Sequence, residues 1–335
     1  MAAFQKSTIR LDNSMVGSRF MRPDLLPMKK LLLALLSLPV VALAQSYTVA
    51  VIPKGTSNFW KTYEAGAKKA ATELGVEIVV RSPKFENDVE AQTQIVDSFR
   101  EKKVSAIVIT PLHKDQLVAS VEKAITAGIP VVVTDSALNS TKTAAFIASN
   151  NLQAGQLGGG ALAKALGPTA TGEVALLRYL KGSESTEKRE AGALRELQSS
   201  LRKATIVDTY YSGAILGDVK HVCDTMLDEH PGLVGVVAVS SISTKSLLKS
   251  VQQRGLTGRI AIVGAGSDDD ILQALRKGEI KALVVQNPFE MGYRGVKTAV
   301  ALLNGEKFEK LSFTDVALVT AANIDTPEVQ RLINP

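Results

Sequence analysis

From residue 46 onward, short runs of valine, isoleucine and alanine alternate with longer stretches whose apolar side chains recur every three or four positions. The short runs fall at 48–52, 77–80, 106–109, 130–134 and 145–147, and the amphipathic stretches at 59–74, 88–102 and 114–127. Gly75 and Gly128 stand where a left-handed residue would end two of these helices. The alternation then starts again. Strands are predicted at 173–177, 205–209, 234–239, 260–263 and 282–285, and helices at 185–201, 214–229, 244–254, 269–277 and 290–303. Uninterrupted apolar strands separated by helices imply parallel sheets covered on both faces, wound by right-handed βαβ crossovers. Two such runs make an α/β protein of two Rossmann-like lobes. The chain is predicted to pass from one lobe to the other near 148–152, where a strand leads into a helix containing Gly155. Gly158, Gly159 and Gly160 fall in that helix and read as a close-packed face.

The segment before residue 46 follows different rules. Met28-Lys29-Lys30 precedes an apolar run over 31–44 that ends Ala42-Leu43-Ala44. A basic start, a short apolar core and a small-x-small end describe an export signal, and the run is shorter than the roughly 17–25 residues a spanning helix requires. Residues 28–44 are therefore expected to be a signal peptide cleaved after Ala44, with residues 1–27 a dispensable extension and the periplasm the destination. This segment also explains the charge. The whole chain carries +6, but the first 44 residues hold six basic and two acidic side chains, so only +2 belongs to the body. A near-neutral body lacks the basic footprint of a nucleic-acid binder. The single cysteine, Cys223, sits in a helical pattern, can form no internal disulfide, and reads as a buried small hydrophobe.

In open parallel sheets the ligand crevice lies beyond the carboxyl ends of the strands, so the residues there are the candidates. Lys54, Ser57, Phe59 and Trp60 follow the first strand and open a helix. Ser57 or Asn58 suits the N-cap, and the two aromatics offer flat apolar surface to the C–H face of a sugar. They could equally be core between the lobes, and Lys54 could be an ordinary solvated lysine. Asp135-Ser136 follows the fourth strand, and a carboxylate there needs partners. It could accept two hydroxyls of a polyol or cap a turn. In the second half, 181–189 is rich in glycine and hydroxyls and leads into a helix bearing Arg189, a planar donor fork. Ser240, Asp268 and Gln286 stand after three further strands.

Gly264-x-Gly266 lacks a third glycine in register, there is neither a phosphate-loop lysine nor a nucleophile elbow, and His113, His221 and His230 are scattered. No catalytic residue, metal site or cofactor is expected, and the chain is read as a non-enzyme.

These segments resemble the type I periplasmic sugar-binding proteins, close to the ribose-binding group. The resemblance rests on 51–75 with Asn58-Phe59-Trp60, on Ile-Pro-Val-Val-Val-Thr-Asp at 129–135, and on Ile147-Ala148-Ser149-Asn150-Asn151. Arg189 leading to Gly192, and Gln286-Asn287-Pro288 through Gly292-Tyr293, extend it over residues 47–323. It implies hinge crossings near Ser149, near Gln286 and within 315–320. The N-terminal lobe would then be 46–149 plus 287–315, and the C-terminal lobe 150–286 plus 316–335. It also implies ligand contacts from Phe59, Trp60, Asp135, Arg189 and Gln286. Ser57 and Ser240 stand where the ribose binders carry asparagines. Ser136 stands where they carry an arginine, and Gly266 where they carry an aspartate that Asp268 could replace. Lys54 is similar to a ligand-contacting lysine in relatives that bind quorum-signalling furanoses. The implied function is the solute-binding component of an ABC importer, a monomer that takes a sugar, polyol, deoxysugar or furanose signal by hinge closure and hands it to a membrane permease. Two alternatives stay open, a sensory binding protein presenting its closed form to a receptor and an exported NAD-dependent enzyme. A LacI-type regulator shares the lobed fold, but a leader occupies the place of its DNA-binding helices.

Overall fold

The structure, a computed structural model, describes residues 47–335. The extension, the signal peptide and its cleavage point lie outside the described residues. The first run of elements is β1 (Thr48–Ile52), α1 (Asn58–Leu74), β2 (Glu77–Val80), α2 (Val89–Glu101), β3 (Ala106–Ile109), α3 (Val118–Thr126), β4 (Val131–Thr134) and β5 (Ala145–Ser149). The second is α4 (Asn151–Leu166), β6 (Gly172–Leu177), α5 (Glu184–Ser200), β7 (Ala204–Val207), α6 (Leu216–Glu229), β8 (Leu233–Ala238), α7 (Ser241–Gln253), β9 (Ala261–Ala265), α8 (Asp269–Arg276) and β10 (Ala282–Gln286). The chain closes with α9 (Pro288–Leu303), β11 (Leu311–Thr314), β12 (Val316–Val319) and α10 (Pro327–Ile333).

These strands form two sheets, ordered β11-β5-β4-β3-β1-β2 and β12-β10-β9-β8-β6-β7. All neighbours are parallel except β12, which runs antiparallel to β10. The chain passes between sheets after β5, after β10 and at Asp315, between β11 and β12. Each sheet is buried on both faces. In β1, Val49 and Val51 join the cluster under α1 and α9, while Ala50 and Ile52 join the one under α2 and α3. This is the alternation a strand's two-residue period produces. It is why these strands read as unbroken apolar runs.

One packing device recurs in both lobes. A Cβ on Gly66 of α1 would stand 1.9 Å from the carbonyl oxygen of Phe289, and one on Gly292 of α9 would stand 2.0 Å from that of Tyr63. In the second lobe, a Cβ on Gly155 of α4 would meet the carbonyl oxygen of Arg189 at 2.0 Å, and one on Gly192 of α5 that of Leu152 at 2.2 Å. Each helix pair therefore meets backbone to backbone. The close-packed reading of the glycine triplet holds for only part of it. Gly159 lies against Ala193, Gly158 faces side chains at ordinary contact distance, and Gly160 has open space around it.

Several predicted boundaries move. Residues 114–117 are not helical, and the backbone N–H of Lys114 donates to Gly182 of the other lobe at 2.8 Å. Helix α7 starts at Ser241 instead of 244, because Ser240 accepts the N–H of Ser243 as its cap. Strand β11 and helix α10 have no counterpart in the sequence reading.

Candidate functional site

The strand order places a switch point in each sheet, between β1 and β3 and between β6 and β8, where successive crossovers turn to opposite faces. Crevices open at the carboxyl ends of such strands. Here the two crevices face each other and enclose a cavity of about 90 Å³. Lys54, Ser57, Phe59, Trp60, Asp135, Arg189, Ser240 and Gln286 all line it, although they are spread over most of the chain.

The aromatic wall comes from the first turn of α1. Phe59 and Trp60 pack edge to face with ring centres 4.8 Å apart, and Trp60 meets Tyr63 edge-on at 5.9 Å. Trp60 is 4% exposed, and its Nε1–H donates to Glu86 at 2.8 Å. Ser57 occupies the N-cap of α1, its carbonyl accepting the N–H of Lys61 at 3.0 Å while its side chain makes no capping bond, which leaves the hydroxyl to the cavity.

Asp135 follows β4 in the left-handed region, φ 60°. Aspartate tolerates that conformation better than most residues, and such strain gathers at functional sites. The turn aims the carboxylate at Lys54, whose Nζ lies 2.8 Å away, both side chains being 4% exposed. Ser185 of the opposite lobe joins the pair, accepting from Lys54 at 3.2 Å and donating to Asp135 at 3.4 Å. Lys54 is thus half of a buried ion pair and not a solvated lysine.

Across the cavity, Arg189 donates from Nη1 to the side-chain oxygen of Gln286 at 2.8 Å. Both residues are 8% exposed, and Arg189 Nε and Gln286 Nε2 have no partner among the described residues. Burial pulls the Arg189 pKa below its ordinary value, with the Asp135 carboxylate opposing.

Two of the sequence-derived residues are turned away from the cavity. Ser136 is buried, and its Oγ accepts the backbone N–H of Ser185 at 3.0 Å. Asp268 accepts from Asn58 Nδ2 at 3.0 Å and from the Ser241 hydroxyl, with Lys245 at 3.6 Å. Both join the two lobes directly. Glu86 and Tyr179 line the cavity and were missed. Tyr179 donates to Glu86 at 3.0 Å across the lobes, so Glu86 receives one bond from each side. Burial raises the Glu86 pKa, the Trp60 N–H opposing, while burial followed by the Glu86 charge raises that of Tyr179. Tyr179 stands two residues beyond β6, within reach of the strand-end rule. Glu86 lies six residues beyond β2, too far for it.

A two-lobed α/β protein with a small polar cavity between the carboxyl ends of its sheets belongs to the class that encloses small solutes. Residues 49–307 match the family model of the periplasmic binding protein domain, and the chain belongs to that family. A carbohydrate transporter solute-binding protein from Agrobacterium radiobacter, solved with D-arabinose, is 31% identical and superimposes with a TM-score of 0.83 over 87% of this chain and all of that one. An ABC transporter solute-binding protein from Agrobacterium vitis with bound D-fucose is also 31% identical, with a TM-score of 0.82 over 85% of this chain and 99% of its own. The D-ribose/D-allose-binding protein of Pseudomonas aeruginosa is 29% identical over 82% of this chain and 88% of its own length.

Proposed function

We propose that this chain is the periplasmic solute-binding component of an ABC importer, and that it captures a small sugar or polyol between its lobes. The observation that carries the reading is that Arg189 and Gln286, each keeping a buried donor (Nε and Nε2) with no partner among the described residues, line a cavity walled by Phe59 and Trp60. A buried donor without a partner costs about 1–3 kcal/mol. Hydroxyl and ring oxygens of a sugar relieve that cost while the aromatic rings cover its C–H face. Lys54, Ser57, Asp135, Glu86, Tyr179 and Ser240 complete the ligand shell in this reading. The lobes are 46–149 plus 287–315 and 150–286 plus 316–335, and the three crossings between them act as the hinge. No bond is made or broken. The monomer is exported with its leader removed after Ala44, and its closed form is delivered to a membrane permease. The relatives solved with D-arabinose and D-fucose support a monosaccharide of that size.

Isothermal titration against pentoses, hexoses, deoxysugars and polyols tests this. One of them should bind with measurable heat and a fall in radius of gyration, and Trp60→Ala should weaken that binding at least tenfold without unfolding the protein, one lost tenfold being about 1.4 kcal/mol. No heat and no change of radius across the panel would reject the reading.

A further inference from the structure

The loop and first turn of α5, residues 181–187, make a concentration of lobe-to-lobe bonds that involve no solute. Lys114 of the first lobe donates its backbone N–H to Gly182 and holds Glu187 through Nζ at 2.6 Å. Glu187 also accepts the N–H of Gly182 at 2.7 Å, which ties the loop to its helix. Glu184 accepts the N–H of Ala137 at 2.9 Å. Ser185 presents one of the N–H groups that a helix start leaves without an internal partner, and Ser136 of the other lobe accepts it. Gly182, at φ 84°, lies so close to His113 that a Cβ would stand 2.2 Å from the ring. Away from this segment the direct side-chain bonds between the lobes are fewer, Asn58 to Asp268, Tyr179 to Glu86 and Asn151 to the carbonyl oxygen of Asp135.

We propose that this segment is a clasp that holds the lobes together independently of solute, with Ser136, Lys114, Glu184 and Glu187 setting how tightly solute is held but not which solute is chosen. The inference rests on the hinge-closure reading above. A ligand that needs the closed form binds with an affinity reduced by the fraction of protein already closed. Bonds formed only on closure, and made to no solute atom, raise that fraction equally for every solute. They also slow the reopening that releases it.

The test begins without sugar. Fluorophores at Lys102→Cys and Lys277→Cys, exposed positions on different lobes, report the distance between them, and the native cysteine is buried. The ligand-free protein should contain a compact population. Ser136→Ala with Glu187→Gln should lower its ratio to the open form about tenfold, equivalent to about 1.4 kcal/mol. Lys114→Ala, whose side chain is 32% exposed, should shift the ratio the same way from the opposite lobe and serves if the double variant fails to fold. Titration with D-arabinose and D-fucose should then show both affinities falling by one common factor, with faster dissociation. Absence of the compact form in the sugar-free protein, or its persistence in the variants, overturns the clasp. Different factors for the two sugars would make these residues part of the ligand shell and overturn it equally. If neither sugar binds the unaltered protein, the choice of ligand fails, while the sugar-free populations still decide the clasp.

Discussion

Replacing Gly155 by alanine should damage the solute site from outside it. The added Cβ would lie 2.0 Å from the carbonyl oxygen of Arg189, 2.7 Å from its carbonyl carbon and 2.8 Å from its Cα. Real carbon contacts stay above about 3.0 Å, so α5 must retreat by about 1 Å at the residue that carries the guanidinium. Overpacking of this kind costs about 1–3 kcal/mol, and the better helix propensity of alanine returns about 1 kcal/mol. The expected net loss of stability is therefore small, about 0–2 kcal/mol. The loss of affinity should be larger. Arg189 reaches Gln286 at 2.8 Å, and a shift of that size takes the contact beyond hydrogen-bond length. In the proposed site the same shift draws the guanidinium away from the solute, and one charge-assisted bond to solute is worth about 1.5–3 kcal/mol, so solute should bind about 10- to 100-fold more weakly. Gly160→Ala is the internal control, since it lies on the same helix with open space around it. It should leave affinity unchanged and raise stability by about 0.5–1 kcal/mol. Calorimetric titration with the tightest sugar of the panel, alongside urea denaturation, measures both. If Gly155→Ala binds like the unaltered protein and is as stable as Gly160→Ala, the helix contact does not position Arg189.

Three other measurements probe the buried polar groups. Lys54→Ala strands the Asp135 carboxylate and should cost about 3–5 kcal/mol, as breaking a buried pair does, whereas Lys54→Met with Asp135→Asn, which removes both charges and keeps a residue suited to φ 60°, should recover much of that in urea denaturation. Glu190 is 3% exposed and accepts the N–H of Tyr179 at 3.0 Å, and burial raises its pKa. A carboxyl raised on folding contributes most below its unfolded value, near pH 4.3, and that contribution fades as pH climbs through the raised folded value. Glu190→Gln cannot lose a proton, so its stability relative to the unaltered protein should rise across that interval; a difference flat with pH would refute the assignment. The Cys223 thiol is pushed up to about 12 by burial and should resist a thiol-disulfide reagent at pH 8 until the protein unfolds, so rapid reaction of the native form would show that the helix opens.

Much of this architecture was legible because parallel strands buried on both faces leave an unmistakable run of apolar residues. β3 and β4 are buried at every position, and both were found within a residue. β11 was not found because it is an edge strand reading Leu-Ser-Phe-Thr, with Leu311 57% and Phe313 51% exposed, so no burial pattern marks it. Helix starts were less legible than strands. Lys114 has the composition of a first turn, yet its N–H is taken by Gly182, a partner 68 residues away that no local pattern announces.

The site divides along the same line. A residue at the carboxyl end of a parallel strand, or within two residues of it, is carried to the gap by the sheet itself, so Lys54, Asp135 and Gln286 could be placed from sequence alone. Which way its side chain then turns depends on what the other lobe presents. Ser136 adjoins Asp135 and is as buried, yet it faces an N–H of the opposite lobe while its neighbour faces a lysine of its own. Glu86 shows the converse. It lies in a loop with no strand-end address, and Trp60 and Tyr179, one from each lobe, give it its place. Strand order thus selects the residues that can reach a solute, and the meeting of the lobes decides which of them remain free to bind it. Arg189 and Gln286 are the clearest instance, because each satisfies one atom of the other and still keeps a buried donor without a partner among the described residues.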